Sequence, residues 1–164
     1  MLFRSGMRQR VMIALAIANA PKIILADEPS TALDVTVQAQ VLELLKKASQ
    51  LTGAAVVLVT HDMGVVAGLA DRIAIMYAGK IVEEGPIEKI FDKPAMPYTI
   101  GLLRSIPRVD ESEKRRLVSI AGSPPSPVNL PPGCAFAPRC PAYKEICDSR
   151  VPDLQEFGDR KSTR

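Results

Sequence analysis

The chain has 164 residues, 47% of them hydrophobic and 24% charged, with a net charge of +3. This composition supports one modest core and excludes a disordered or fibrous chain, while the mild charge and 4% aromatic content argue against a nucleic-acid partner. The most apolar windows, Val11–Ala20 and Ala54–Thr60, are shorter than the roughly 20 residues of a membrane span, and Met1–Arg10 has no signal-peptide pattern, so a cytoplasmic location is expected. From the N-terminus, Val11, Met12, Leu15 and Ala16 at helical spacing predict an amphipathic helix over Gly6–Ala20, ended at Pro21. Ile23–Ala26 is a continuous apolar run, as in a strand covered on both faces, and Pro29-Ser30 breaks it. Val37, Val41, Leu44, Leu45 and Ala48 line one side of a helix over Val35–Leu51, stopped at Thr52-Gly53. Ala55–Val59 is a second buried strand, Met63–Ala70 a short helix and Ile73–Met76 a third strand. Strand and helix in alternation predict an α/β fold with a parallel sheet. Tyr77-Ala78-Gly79-Lys80 is a tight turn into Ile81–Glu84, an antiparallel addition at the sheet edge.

Composition shifts after Gly85-Pro86, which divides the chain into residues 1–85 and an accessory region, 86–164. Ile87–Phe91 and Tyr98–Ser105 are expected as short helices and Asp110–Arg116 is a charged run. Ser123–Pro127 and Leu130–Gly133 then form a proline-rich linker that cannot hold a regular helix. Cys134, Cys140 and Cys147 follow it. Scattered cysteines are often inert, but clustered thiols in a cytosolic protein point to metal or redox use.

The most informative residues are Asp27 and Glu28, at the end of the first apolar strand. Two adjacent acids can be a solvated strand end or a helix-start pair. At an exposed strand tip they can also supply a metal ligand and a base that polarises water. His61, the only histidine, follows the second strand, and in a parallel sheet its side chain emerges on the same edge as Asp27 and Glu28. A surface or helix-start histidine is the plainer reading. Asp62 and Asp34 both suit helix caps.

The string Ile23-Ile24-Leu25-Ala26-Asp27-Glu28-Pro29-Ser30-Thr31-Ala32-Leu33-Asp34, with Val57-Leu58-Val59-Thr60-His61-Asp62, resembles the Walker B, D-loop and switch-histidine segments of ATP-binding-cassette (ABC) ATPases. The remainder resembles the oligopeptide/dipeptide importer branch. The resemblance implies a P-loop NTPase-type, mostly parallel sheet flanked by helices, being the second half of an ABC ATPase, with a proline-rich, cysteine-containing C-terminal extension. It implies Mg²⁺ at Asp27, a catalytic base at Glu28, a γ-phosphate contact at His61 and communication across a dimer at Asp34. Phe3–Arg10 is similar to the signature F-S-G-G-M-R-Q-R from Gly6 onward, so Ser5 and Gly6 would meet the nucleotide of the opposite subunit, although Arg4 and Ser5 depart from the pattern. The implied activity is ATP hydrolysis powering peptide import. The implied partners are a second ABC ATPase subunit and transmembrane permease subunits, with the protein peripheral on the cytoplasmic side of the membrane.

No G-x-x-x-x-G-K-[ST] phosphate loop occurs in the sequence. The chain is therefore expected to be a C-terminal portion that does not hydrolyse ATP alone. The segment around Cys134 and Cys140 is similar to an extension that in some relatives holds a [4Fe–4S] cluster on four cysteines; only three are present, and zinc is the competing metal. Ala95-Met96-Pro97-Tyr98-Thr99 resembles the H-P-Y-T motif that opens this extension, with Met96 in place of His. The alternative reading of the whole is a non-catalytic module, derived from such an ATPase, that binds a metal or an iron–sulfur cluster.

Overall fold

The computed structural model describes residues 5–31, 33–106 and 119–163. The charged run Asp110–Arg116, and Phe3 and Arg4 of the signature-like segment, lie outside the described residues. Two compact units divide the chain, Met1–Leu69 and Ala70–Arg164. Residue 85, where composition changes, falls inside a strand of the second unit.

In the first unit, α1 (Ser5–Ile17), β1 (Ile23–Asp27), α2 (Val35–Thr52), β2 (Ala55–Val59) and α3 (Met63–Leu69) follow one another. Strands β1 and β2 are parallel and in register from Ile23↔Ala55 to Asp27↔Val59, with α2 as the crossover that such a pair requires. Asp34 caps α2, accepting from the Val37 N–H at 3.0 Å, and Gly53 ends it at φ 69°, a left-handed backbone that glycine adopts without steric cost. Ile13, Ile24, Ala26, Val41, Leu45, Ala48 and Ala54 form the core.

Two burial expectations are corrected here. Residues of β1 alternate, so Ile24 and Ala26 face the core while Ile23 and Leu25 are 65% and 70% exposed; Val57 and Val59 of β2 are exposed as well. Within this unit α1 and α2 cover one face of the strand pair, which is why a continuous apolar run is not buried on both sides here. Helix α1 also turns a different face inward, with Ile13 buried and Val11, Met12, Leu15 and Ala16 exposed. Apolar residues surround α1, so spacing alone does not select its inner face; the contact with α2 does. Gly6 and Ile13 share that face, and Arg10 Nη2 reaches Gln40 Oε1 at 2.6 Å. A Cβ on Gly6 would stand 2.5 Å from Val37 Cγ1, so only glycine permits this approach of α1 to the first turn of α2.

The second unit is a four-stranded antiparallel sheet in the order β3-β4-β6-β5, from β3 (Arg72–Tyr77), β4 (Lys80–Pro86), β5 (Leu154–Phe157) and β6 (Arg160–Thr163). Ala78 and Gly79, at φ 49° and 77°, make the expected two-residue turn from β3 to β4. The expectation that the third strand joins the parallel sheet is corrected: among the described residues β3 pairs only with β4, the partner a two-residue turn brings back at least loop-closure cost. Helices α4 (Ile87–Asp92) and α5 (Pro97–Arg104) then pack with Phe136 around Ile75, Tyr77, Val82, Ile90 and Met96. Tyr77, Tyr98 and Phe136 meet ring to ring at centroid distances of 4.6–5.4 Å. Among the described residues no helix is long and apolar enough to cross a membrane.

Glu83, on β4, is fully buried and organises the start of α5. Its Oε1 accepts the Ala95 N–H at 2.8 Å and its Oε2 the Met96 N–H at 3.1 Å. Pro97 opens the helix and needs no such partner, so the A-M-P-Y-T segment is held by a strand carboxyl from below.

Candidate active site

Parallel pairing brings the C-terminal ends of β1 and β2 to one edge, and the backbone then adds a rung beyond them: the Glu28 N–H donates to the Val59 carbonyl at 2.9 Å. Glu28 sits at φ 45°, a conformation uncommon for a non-glycine residue and typical of sites where geometry is imposed for function. Pro29 follows, and the Thr31 N–H closes a turn onto the Glu28 carbonyl at 3.1 Å.

The Glu28 carboxylate is engaged at both oxygens. Oε1 accepts the His61 backbone N–H at 3.1 Å and lies 2.7 Å from His61 Nδ1; Oε2 accepts the Thr31 hydroxyl at 3.0 Å. A carboxylate only accepts, so Nδ1 carries the proton of the 2.7 Å bond. The His61 bond holds Glu28 below its ordinary 4.5, and the same bond, with the Glu28 charge, lifts His61 above its ordinary 6.5. For His61 the raised value places its stabilising contribution below 6.5, lost as pH rises through the folded value; for Glu28 the lowered value places it above 4.5, lost as pH falls through the folded value. The pair is therefore fully formed between these two ordinary values. Because His61 is the only histidine, its ring proton resonance gives one titration curve. The midpoint is expected above 6.5 and back near 6.5 in Glu28→Gln; a midpoint that Glu28→Gln leaves in place would mean the pair does not form in solution.

Asp27, one residue before, is exposed at the strand tip. A single free carboxylate beside a phosphate-bearing substrate suits Mg²⁺, which is commonly held by one or two carboxylates together with substrate phosphates and water. Asp62 caps α3 through its Oδ1, accepting from the Gly64 and Val65 N–H groups at 2.9 and 3.3 Å, and its Oδ2 accepts from Gln38 Nε2 at 3.2 Å. Gln38 thus ties α2 to the loop that carries His61. Neither Gln38 nor Thr31 stands out in the sequence, because an amide and a hydroxyl in turn or helix positions have no motif of their own.

The structure therefore brings Asp27, Glu28 and His61 to one strand edge. Gly6 and Asp34 come together elsewhere in the unit, both on the Val37 turn, where Gly6 has a packing role and Asp34 a capping role. Ser5 is the first residue of α1.

Cys134, Cys140 and Cys147 lie in the second unit, all free and half-buried. The Cys134 N–H donates to the Cys147 carbonyl at 2.7 Å, and a Cβ on the preceding Gly133 would lie 2.1 Å from that carbonyl oxygen, so glycine is required for the approach. Burial pushes the Cys140 thiol up, and the nearby Cys134 and Cys147 add to the shift. Among the described residues no group of three or more His, Cys, Asp or Glu side chains is placed to hold a metal ion. The three thiols are neighbours, but in this arrangement they do not fit a cluster or zinc.

Comparison with known proteins follows the same division. Residues 82–147 match the family model for the oligopeptide/dipeptide transporter C-terminal region, and residues 5–67 match a model described as an AAA domain, putative AbiEii toxin, Type IV TA system. The oligopeptide transport ATP-binding protein AppD of Bacillus subtilis is 54% identical over 97% of this chain and 48% of its own length. OppD of Salmonella typhimurium is 50% identical over 94% of this chain and 46% of its own. OppD of Mycobacterium tuberculosis is 54% identical over 91% and 24%. The chain spans about half the length, or less, of these curated relatives.

A strand-borne acidic pair with a histidine bonded to it, in a sequence this close to ATP-binding proteins, defines the class: the chain belongs to the ATP-binding-cassette ATPases. Within that class its family is that of the oligopeptide/dipeptide transporters, whose C-terminal region it carries over residues 82–147.

Proposed function

We propose that this chain is the second half of an ATP-hydrolysing subunit that powers import of oligopeptides or dipeptides, in which a phosphate loop not contained in these residues holds the triphosphate. The observation that carries the reading is the Glu28–His61 hydrogen bond at the C-terminal edge of β1 and β2, with Asp27 beside it. Asp27 would hold Mg²⁺, which supplies charge neutralisation at the transferring phosphoryl group. Glu28, ionised across the physiological range, accepts hydrogen bonds and a proton from the attacking water once His61 turns toward the nucleotide. His61, with Nδ1–H directed to Glu28 and its basicity raised, can protonate Nε2 and so present a donor to a phosphate oxygen.

Asp34, Ser5 and Gly6 are proposed to face the nucleotide of a second ATPase subunit, with the closed pair driving transmembrane permease subunits from the cytoplasmic side. The exposed position of Asp34 and the place of Ser5 and Gly6 at the start of α1 support this. The finer reading of the tail, an iron–sulfur cluster or zinc on Cys134, Cys140 and Cys147 with a further ligand, has the proximity of the thiols in its favour; against it, among the described residues no group of three or more such side chains is placed to hold a metal ion.

The function is tested by reconstituting the full-length subunit with its permease partners in vesicles and measuring uptake of labelled peptides. ATP-dependent uptake of short peptides, absent with a non-hydrolysable analogue, is the expected result. Uptake of another solute class with no response to peptides would overturn the substrate, and absence of any nucleotide-dependent transport would overturn the function.

A further inference from the structure

Both oxygens of Glu28 are held, and His61 accounts for only one of them. The other belongs to Thr31, whose side chain is returned over Glu28 by the turn that its own N–H closes on the Glu28 carbonyl. Pro29 at the second position of that turn presets φ, and the Leu33 N–H donates to the Ser30 carbonyl at 3.2 Å, so Glu28, Pro29, Ser30 and Thr31 form a short, hydrogen-bonded elbow. Ser30, the other hydroxyl in the elbow, is buried at 8% exposure, whereas Thr31 is exposed at the edge that carries Glu28. The terminal torsion of a glutamate is broad, so hydrogen bonds to the two oxygens set the plane of its O–C–O group.

We propose that Thr31 is a positioning residue for Glu28: its hydroxyl, by donating to Oε2, fixes the carboxylate plane so that Oε1 faces His61 before nucleotide arrives. The proposal rests on the reading of Glu28 as the residue that activates water. Its physical basis is that an attacking water must be met in a near-attack geometry, so an unanchored carboxylate spends most of its time misdirected. When the His61 ring leaves Oε1 for a phosphate, the Thr31 bond to Oε2 remains together with the His61 backbone N–H on Oε1, and the two keep the carboxylate plane aimed at the water site.

Two measurements test it. In this chain, the ring nitrogen shifts of His61 at a pH where the imidazole is neutral report which nitrogen holds the proton. The parent should be mainly Nδ1–H, Thr31→Val should move toward Nε2–H as Glu28 loses its anchor, and Thr31→Ser, which keeps the hydroxyl, should resemble the parent. In the full-length subunit, Thr31→Val should lower kcat by about 10-fold to 100-fold with the KM for ATP little changed, the loss that one hydrogen bond to a charged group corresponds to, and Thr31→Ser should restore it. Val is close in shape to Thr and the position is exposed, so folding is retained. If Glu28→Gln abolishes turnover while Thr31→Val changes neither the tautomer nor kcat, Thr31 is a plain turn residue and the proposal is wrong. If Glu28→Gln itself leaves turnover intact, the failure lies in the reading of Glu28 instead.

Discussion

Glu28→Gln in the full-length subunit is expected to cut ATP turnover by about 100-fold to 10,000-fold, the range a positioned acid–base group contributes, and to leave ATP binding nearly unchanged. Its described side-chain partners are the His61 N–H and ring and the Thr31 hydroxyl. Gln has the same length and can still accept from the His61 backbone through its carbonyl, which preserves the elbow. What it loses is the capacity to take a proton and the charge that steadies a protonated His61. An interaction realised only as water attacks affects kcat and not binding. Single-turnover hydrolysis and equilibrium binding of ATP, measured side by side, check it; equal losses in both would make Glu28 a structural residue and remove it as the base.

How legible this was in the sequence differs by region, and for physical reasons. The β1-turn-α2-β2 segment is legible because each junction has a local cause: Pro29 after the strand, the Asp34 carboxylate on the Val37 N–H, and Gly53 in a left-handed conformation. Helix α1 is legible as a helix and not in its orientation, since Val11, Met12 and Leu15 offer as good an apolar stripe as Ile13, and the small size of Gly6 against Val37 decides between them. Strands β5 and β6 are not legible in the sequence. Leu154–Phe157 and Arg160–Thr163 alternate too weakly, and their pairing is set by Gly158 at φ 65° in a two-residue loop and by the non-local rungs Glu83↔Ser162 and Glu84↔Lys161. At the site, Asp27, Glu28 and His61 could be placed on one edge from strand order alone, because parallel pairing dictates it. The hydrogen bonds of Thr31 and Gln38 depend on where turns return the chain, which no spacing rule encodes.

Glu83→Ala is expected to be the most destabilising single replacement considered, lowering the unfolding free energy of the second unit by about 3–6 kcal/mol, whereas Glu83→Gln should cost roughly 1–3 kcal/mol. Glu83 has no exposed surface, and its two oxygens are the partners of the Ala95 and Met96 N–H groups. Removing both acceptors strands two backbone donors, that of Met96 buried and that of Ala95 part-buried, and each unpaired buried donor costs about 1–3 kcal/mol. Pro97 cannot adjust to compensate, because its fixed φ starts the helix at that point. Water cannot easily repair the loss where the surrounding side chains are apolar, and the cavity left by the glutamate side chain adds to the cost. Gln retains one acceptor and the volume, so only one donor is left in search of a partner. The consequence reaches further than stability, since α5 carries Tyr98 into the Tyr77–Phe136 aromatic contact and Thr99 into full burial. Urea unfolding followed by tyrosine fluorescence and near-ultraviolet circular dichroism distinguishes the cases: Glu83→Ala should lower the midpoint well below that of Glu83→Gln and weaken the aromatic signal. A Glu83→Ala protein that unfolds with the parent would show that the start of α5 is held by something other than this carboxyl group.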